Sequence, residues 1–263
     1  MKKLLTIVTV LLTCLGCTKE KTVERVYIPH IINPGEAFND YPSEKDSSIT
    51  FIMHQEKEGK QLGANPKVWY QVKFGDTVVK IQTNRQDPNY SNGKFIRGKF
   101  MNTQKTTLLA QIADGFGLKA KFYFISLRNH QLTVTELARQ TAKEGTLDNV
   151  GLIHLGGEGY LLNNDFLINP VNAKVYFLKR EDPEKRIDGQ YLMKSPDKGT
   201  LVFLRPSSLY QVNYQNDEST SVPFRIDPTQ PGLYMHIQEN YVWKTKRPGL
   251  SFLFEDRNTL ATN

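Results

Sequence analysis

Residues 68–82 read Val68-Trp69-Tyr70-Gln71-Val72-Lys73-Phe74-Gly75-Asp76-Thr77-Val78-Val79-Lys80-Ile81-Gln82. Two β-rich runs flank a Gly-Asp pair. Glycine takes the positive φ that a type II′ turn needs at its first central position, so the pair suits a two-residue hairpin loop. That loop sets a register. Phe74 faces Thr77, Val72 faces Val79 and Tyr70 faces Ile81 on one side; Lys73 with Val78, Gln71 with Lys80 and Trp69 with Gln82 take the other. One side is apolar and the other mostly polar, as in an antiparallel sheet with one face on a core.

The same grammar continues outward. Strands are expected at 49–53, 94–100, 118–127, 151–155, 160–168, 174–178, 189–193, 200–204, 210–214, 223–226, 233–238, 241–244 and 250–254, with 106–113 open between strand and short helix. Gly, Pro, Asn and Asp clusters separate these runs at short spacings. One helix is signalled. Thr133-Val134-Thr135-Glu136 has the form of a capping box, Leu132 and Leu137 supply a hydrophobic staple, and Gly145 is a natural stop. The expected fold is therefore mainly β, an antiparallel β-sandwich or barrel-like body of one or two domains, with one short helix near 133–144. The expected divisions are a β-rich domain or first sheet over 48–130, a helix or linker over 131–147, and a β-rich domain over 148–263.

The 263 residues carry 34 Lys and Arg against 27 Asp and Glu, a net charge of +7. The basic residues are scattered, and the densest run, Lys244-Thr245-Lys246-Arg247, is short. That argues for a solvated surface and against a nucleic-acid partner. Residues 17–47, with Pro29, Pro34, Gly35, Pro42 and Ser47, have too little apolar content to build a core and read as a tether. Part of the tether can dock on the body as an edge strand.

The chain opens with Met1-Lys2-Lys3, continues in the apolar run Leu4–Leu15, and closes it with Gly16-Cys17 before Thr18-Lys19-Glu20-Lys21. Twelve apolar residues are short for a membrane span of about 20 residues and fit an export signal. The ending resembles the lipobox of bacterial lipoproteins, with a small residue immediately before the cysteine. Position −3 is Cys14 instead of leucine, and a second register would put the lipid on Cys14, after Leu11-Leu12-Thr13. The resemblance covers residues 1–17. It implies a signal peptide over 1–16, acylation of Cys17, and a membrane partner reached through the lipid. Thr18 in place of aspartate after the cysteine favours the outer membrane, and the absence of an acidic run there favours its periplasmic side. Cys14 and Cys17 are the only cysteines. A metal site would need further ligands, and a thioredoxin-like site would need a βαβ unit.

Chemistry is sparse elsewhere. His30, His54, His130, His154 and His236 form no local metal pair, and there is no nucleophile elbow. His154-Leu155-Gly156-Gly157-Glu158-Gly159 brings an imidazole and a carboxylate close in sequence, but a glycine turn between strands accounts for it. Asp165, Asp188, Asp217 and Asp227 sit among turn-forming residues. Aromatic residues are more suggestive, because on an exposed face they stack on sugars or anchor a protein partner. Tyr234, His236, Tyr241 and Trp243 are the candidate ligand-binding group. No cofactor, metal or catalytic residue is expected. These readings converge on a lipid-anchored envelope module that binds or assembles, with protein partners or a glycan as ligand. The alternative is a lipid-anchored hydrolase of polysaccharide or peptidoglycan.

Overall fold

A computed structural model describes residues 22–33, 36, 48–55, 68–84, 86–87, 89–112, 121–139, 151–225, 227 and 230–256. Cys14, Cys17 and the rest of the expected signal peptide lie outside the described residues, as does 140–150, which holds the end of the expected helix. The body is mainly β, with several antiparallel sheets and one short helix.

The first sheet has ten strands: β1 (Val23–Tyr27), β2 (His30–Ile31), β3 (Ile49–Gln55), β4 (Val68–Phe74), β5 (Thr77–Gln82), β6 (Ser91–Asn92), β7 (Phe95–Phe100), β8 (Thr107–Ile112), β9 (Lys121–Arg128) and β10 (Gln131–Glu136). Its order is β1-β5-β4-β7-β8-β9-β10-β2, with β3 added to β4 and β6 to β5. The opening hairpin begins in the expected register, Phe74 opposite Thr77 and Lys73 opposite Val78, around Gly75 at φ +56°. Beyond those pairs the two strands part. β4 meets Phe95 of β7 at Tyr70, and β5 takes β1 and β6. Val72, Val79 and Ile81 nevertheless share one core with Phe95, Leu108, Tyr123, Ile125 and Val134. The pleat sends alternate side chains to one face whichever strand is the partner, so the face survives where the pairing does not. This core runs from β4 to β10 along the inside of a sheet that curls into a half-barrel. Gly98 lets the curl close, because a Cβ there would lie 2.3 Å from Cζ of Phe51, whose ring stacks on Tyr70 at 4.6 Å.

Part of the expected tether is sheet. β1 pairs in parallel with β5 from Val23↔Thr77 to Tyr27↔Ile81, and β2 pairs with β10. The short apolar patch around Val26 and Tyr27 is enough for an edge strand, which needs a partner on one side only.

The capping-box helix is corrected. Residues 131–136 form β10, paired with β9 from Gln131↔Arg128 to Glu136↔Tyr123. Asn129 and His130, at φ +48° and +58°, make the tight turn that dictates this pairing. Thr133 Oγ1 donates to the Ser126 carbonyl across the ladder and caps no helix. A Thr-Val-Thr-Glu run alternates as readily as it caps, and burial of Leu132 and Val134 decides for the strand.

Three smaller sheets follow. The second is a meander of β11 (Leu152–His154), β12 (Tyr160–Leu162), β13 (Phe166–Ile168) and β14 (Val175–Phe177). The single strand expected over 160–168 is two strands, folded back at Asn163 and Asn164, both at φ +53°. The third sheet is β15 (Gln190–Lys194), β16 (Thr200–Leu204), β17 (Ser208–Asn213) and β18 (Ser219–Pro223). Helix α1 (Leu233–Asn240) then leads into the hairpin β19 (Tyr241–Arg247) and β20 (Leu250–Glu255). Residues 233–238 were expected as strand. As helix, Leu233 and Ile237 fall one turn apart and pack together against the core of Phe224 and Val222.

The sheets are stacked, and the middle ones are buried on both faces. Tyr160, Leu162, Phe166 and Ile168 pack against Leu109, Phe122 and Phe124 of the first sheet. Their neighbours Leu161 and Leu167 face Leu201, Phe203, Tyr210 and Val212 of the third sheet. Val202, Leu204 and Leu209 of the third sheet face Ile237, Tyr241 and Leu253 on its far side. This is why these strands read as unbroken apolar runs. Gln211 fastens the last interface: its Nε2 donates to the Leu253 carbonyl and its Oε1 accepts the Leu253 N–H, both at 2.7 Å.

Candidate functional site

The β12–β13 turn carries Asp165 into the interior, where it is 4 % exposed. Leu178, just after β14, donates its N–H to the Asp165 carbonyl, so the chain beyond β14 passes over that turn. Arg180 thereby meets Asp165 squarely. Nε donates to Oδ1 at 2.8 Å, Nη2 to Oδ2 at 2.7 Å, and Nη1 to the Pro183 carbonyl at 3.2 Å. A second guanidinium arrives from the end of β10. Arg139 Nη1 lies 3.6 Å from Asp165 Oδ1 and donates to the Leu178 carbonyl at 2.5 Å.

Two guanidiniums thus share one carboxylate. Burial pulls the Arg139 guanidinium below its ordinary value, and nearby Asp165 opposes that shift. Asp165 faces both guanidiniums, and Asp217 adds a weaker attraction for Arg139. Lys179 is exposed; the Arg180 side chain is 2 % exposed and that of Arg139 is 16 %, so of the two guanidiniums Arg139 is the one a ligand can reach.

It opens onto a cleft of about 500 Å³ lined by residues 175–180, Pro183, Tyr214, Asp217, Arg139 and Glu36. Six consecutive residues in the lining mean that the cleft runs along β14. That strand ends its sheet, and among the described residues no strand pairs with its outer side. Asn169 donates to the Lys174 carbonyl and Leu178 to that of Asp165, so residues 174, 176 and 178 turn their backbone toward β13. By alternation, the backbone groups of Val175 and Phe177 point outward. The walls are aromatic: Tyr176 meets Tyr214 edge-on at 5.0 Å, and the Arg139 guanidinium lies 5.6 Å from the Phe177 ring. At the rim, the Asn33 N–H and the His30 ring hold the Glu36 carboxyl below the usual range.

The residues singled out from the sequence lie elsewhere. Tyr234 is exposed on α1 and its hydroxyl donates to the Leu192 carbonyl at 3.2 Å. His236 Nδ1 sits 3.0 Å from Asn240 Nδ2. Tyr241 is buried and bonds the Pro223 carbonyl at 3.1 Å, and Trp243 packs on the same core. The expected exposed aromatic patch is therefore reduced to Tyr234 and its neighbour Met235, and none of the four residues lines the cleft. His154 stacks on Tyr160 at 4.9 Å, while the Glu158 side chain lies outside the described residues. Asp217 lines the cleft. Sequence reasoning missed Arg139, Asp165 and Arg180 as a group. Only Asn163-Asn164-Asp165, a turn signal between two apolar runs, could have hinted at a back-folded strand.

Among the described residues, no three His, Cys, Asp or Glu side chains converge as a metal site, and no helix is long and apolar enough to cross a membrane. Comparisons with protein-family models, curated proteins and solved structures produce no match.

Proposed function

We propose that this protein is a lipid-anchored binding or assembly module of the cell envelope, a non-catalytic subunit of an envelope complex such as a secretion or surface-assembly machine. Acylated Cys17 holds it on the periplasmic side of the outer membrane. The observation that carries the binding role is the cleft along β14, with Arg139 and exposed Lys179 in its lining. Outward-facing backbone groups accept an extended segment as an added strand, and a guanidinium selects a carboxylate on it. The ligand is thus a strand-like segment of a protein partner bearing an acidic side chain or chain terminus, with Tyr176 and Tyr214 as flanking walls.

A photo-crosslinking residue at Tyr214 in living cells tests this reading. It should capture a discrete envelope protein in wild type and lose it in the Arg139→Gln variant. Undiminished capture in that variant removes the cleft from the function. Mass spectrometry of the mature N-terminus tests the anchor separately, and Cys17→Ala should leave uncut precursor. Acylation at Cys14 would move the register, and a soluble unmodified N-terminus would remove the anchor.

One observation favours a hydrolase as the second reading: two carboxylates, Glu36 and Asp217, line the same cleft. A glycosidase acid needs a raised pKa, however, and Glu36 is shifted the other way. Release of reducing sugar from peptidoglycan or polysaccharide by the purified protein, lost in Asp217→Asn, would establish the hydrolase.

A further inference from the structure

We infer that the protein rests directly on its membrane, with the Gly75-Asp76 turn end of the first sheet against the lipid headgroups. The inference builds on the proposed acylation of Cys17. Only five residues lie between Cys17 and Val23, where β1 begins, so six steps of chain join them. A fully extended chain covers about 3.4 Å per residue, so Val23 stays within about 20 Å of the acylated residue. A free tether reaching residue 47 would have allowed about 100 Å.

β1 is firmly part of the body. It forms five consecutive parallel pairs with β5, Lys80 Nζ lies 2.6 Å from Glu24 Oε2, and Tyr27 packs on the core that contains Val79 and Ile81. Its direction then decides which end of the sheet faces the bilayer. Val23 pairs with Thr77, the first residue of β5, so the anchored end of β1 lies beside the β4–β5 turn. Ser48 belongs to the same corner, since its carbonyl accepts the Gly75 N–H at 3.1 Å. Ser48, Gly75 and Asp76 are exposed and polar, which suits headgroups and excludes insertion into hydrocarbon. Beside them Val23, paired with Thr77, is 57 % exposed, an apolar side chain that the nearby bilayer can cover.

The opposite end of β5 supplies the control. Tyr90 is exposed there, its carbonyl bonded to the N–H of Thr83, and the six residues of β5 put it about 20 Å further away. The test uses mature acylated protein on phosphatidylcholine vesicles containing headgroup-nitroxide lipid, with a fluorophore on Asp76→Cys or on Tyr90→Cys. Quenching should be several-fold stronger at 76 than at 90. A twenty-residue Gly/Ser insertion between Glu20 and Lys21 should level the two. Flotation with the vesicles but equal quenching at both positions in the uninserted protein overturns the orientation alone. Failure to float overturns the acylation and the orientation with it.

Discussion

Arg180 grips Asp165 through two parallel hydrogen bonds of 2.8 and 2.7 Å, with the Arg180 and Asp165 side chains 2 % and 6 % exposed. The two stand fifteen positions apart in the chain, with β13 and β14 between them. The pair ties the chain after β14 to the β12–β13 turn and gives the buried carboxylate its counter-charge.

Asp165→Asn leaves two guanidiniums without their shared counter-charge. Breaking one partner of a buried pair costs about 3–5 kcal/mol. Urea unfolding should show that loss as a lower midpoint, shifted by the lost free energy divided by the m-value. The triple variant Asp165→Leu, Arg180→Met, Arg139→Met should recover most of it, because it leaves no guanidinium unpaired and an apolar set carries no desolvation penalty. If the single variant unfolds at the wild-type midpoint, the pair is not holding the sheet.

Arg139→Gln should behave differently. Its loss gives up the attraction to Asp165 and the bond to the Leu178 carbonyl, but it also removes the repulsion from Arg180 and the cost of burying the guanidinium. The net stability change should stay near 1 kcal/mol. Partner capture at Tyr214 should nevertheless disappear. Large destabilisation with capture intact would make Arg139 a structural residue.

Gly199 touches the far hairpin through its backbone. A Cβ there would sit 2.2 Å from the Gly249 carbonyl oxygen, which also accepts the Asn213 amide at 2.8 Å. Because backbone stands in the way, Gly199→Ala should cost about 2–3 kcal/mol. Gly75→Ala meets no atom within 4 Å, but its φ of +56° still penalises a side chain, at about 1 kcal/mol. Thermal unfolding of the two variants separates a steric cost from a conformational one.

Asp197 links the β15–β16 turn to β20. Burial pushes its carboxyl up, but hydrogen bonds from the Ser195 hydroxyl, the Ser251 hydroxyl and the Gly199 N–H prevail and hold it below the usual value. A depressed folded pKa means that its stabilisation is present above the unfolded value of about 3.9 and is lost as pH falls through the folded one. Asp197→Asn should therefore be less stable than wild type at pH 7, and the gap should close below about pH 4. A pH-independent gap in urea unfolding would show that the carboxylate charge contributes nothing.

Local chemistry was legible where it acts alone. The Gly75-Asp76 turn needs only its own backbone geometry, so its register was readable and is present at Phe74 and Thr77. The two misassigned elements show the reverse. Thr133–Glu136 carries a helix-start signature but is a strand, because the Asn129-His130 turn and the burial of Leu132 and Val134 outweigh one cap. Residues 233–240 alternate as a strand would, yet they coil to place Leu233 and Ile237 on one core. The cleft was not legible. Arg139, Asp165 and Arg180 carry no spacing rule, and their meeting depends on how β10 and β14 end.

By itself the sequence determined that the chain is mainly β, where most strands lie, and which side of the opening hairpin is apolar, because turn chemistry and the two-residue pleat are local. It also carries the lipobox-like leader as a linear signal. Only the tertiary structure decided that the sheets stack with both faces of the middle two buried. Only it bound residues 23–27 into the first sheet and set Arg139 beside the edge of β14, which no other described strand pairs. These features depend on contacts between residues tens of positions apart, whose free energy arises when surfaces meet and is absent from any short stretch of chain.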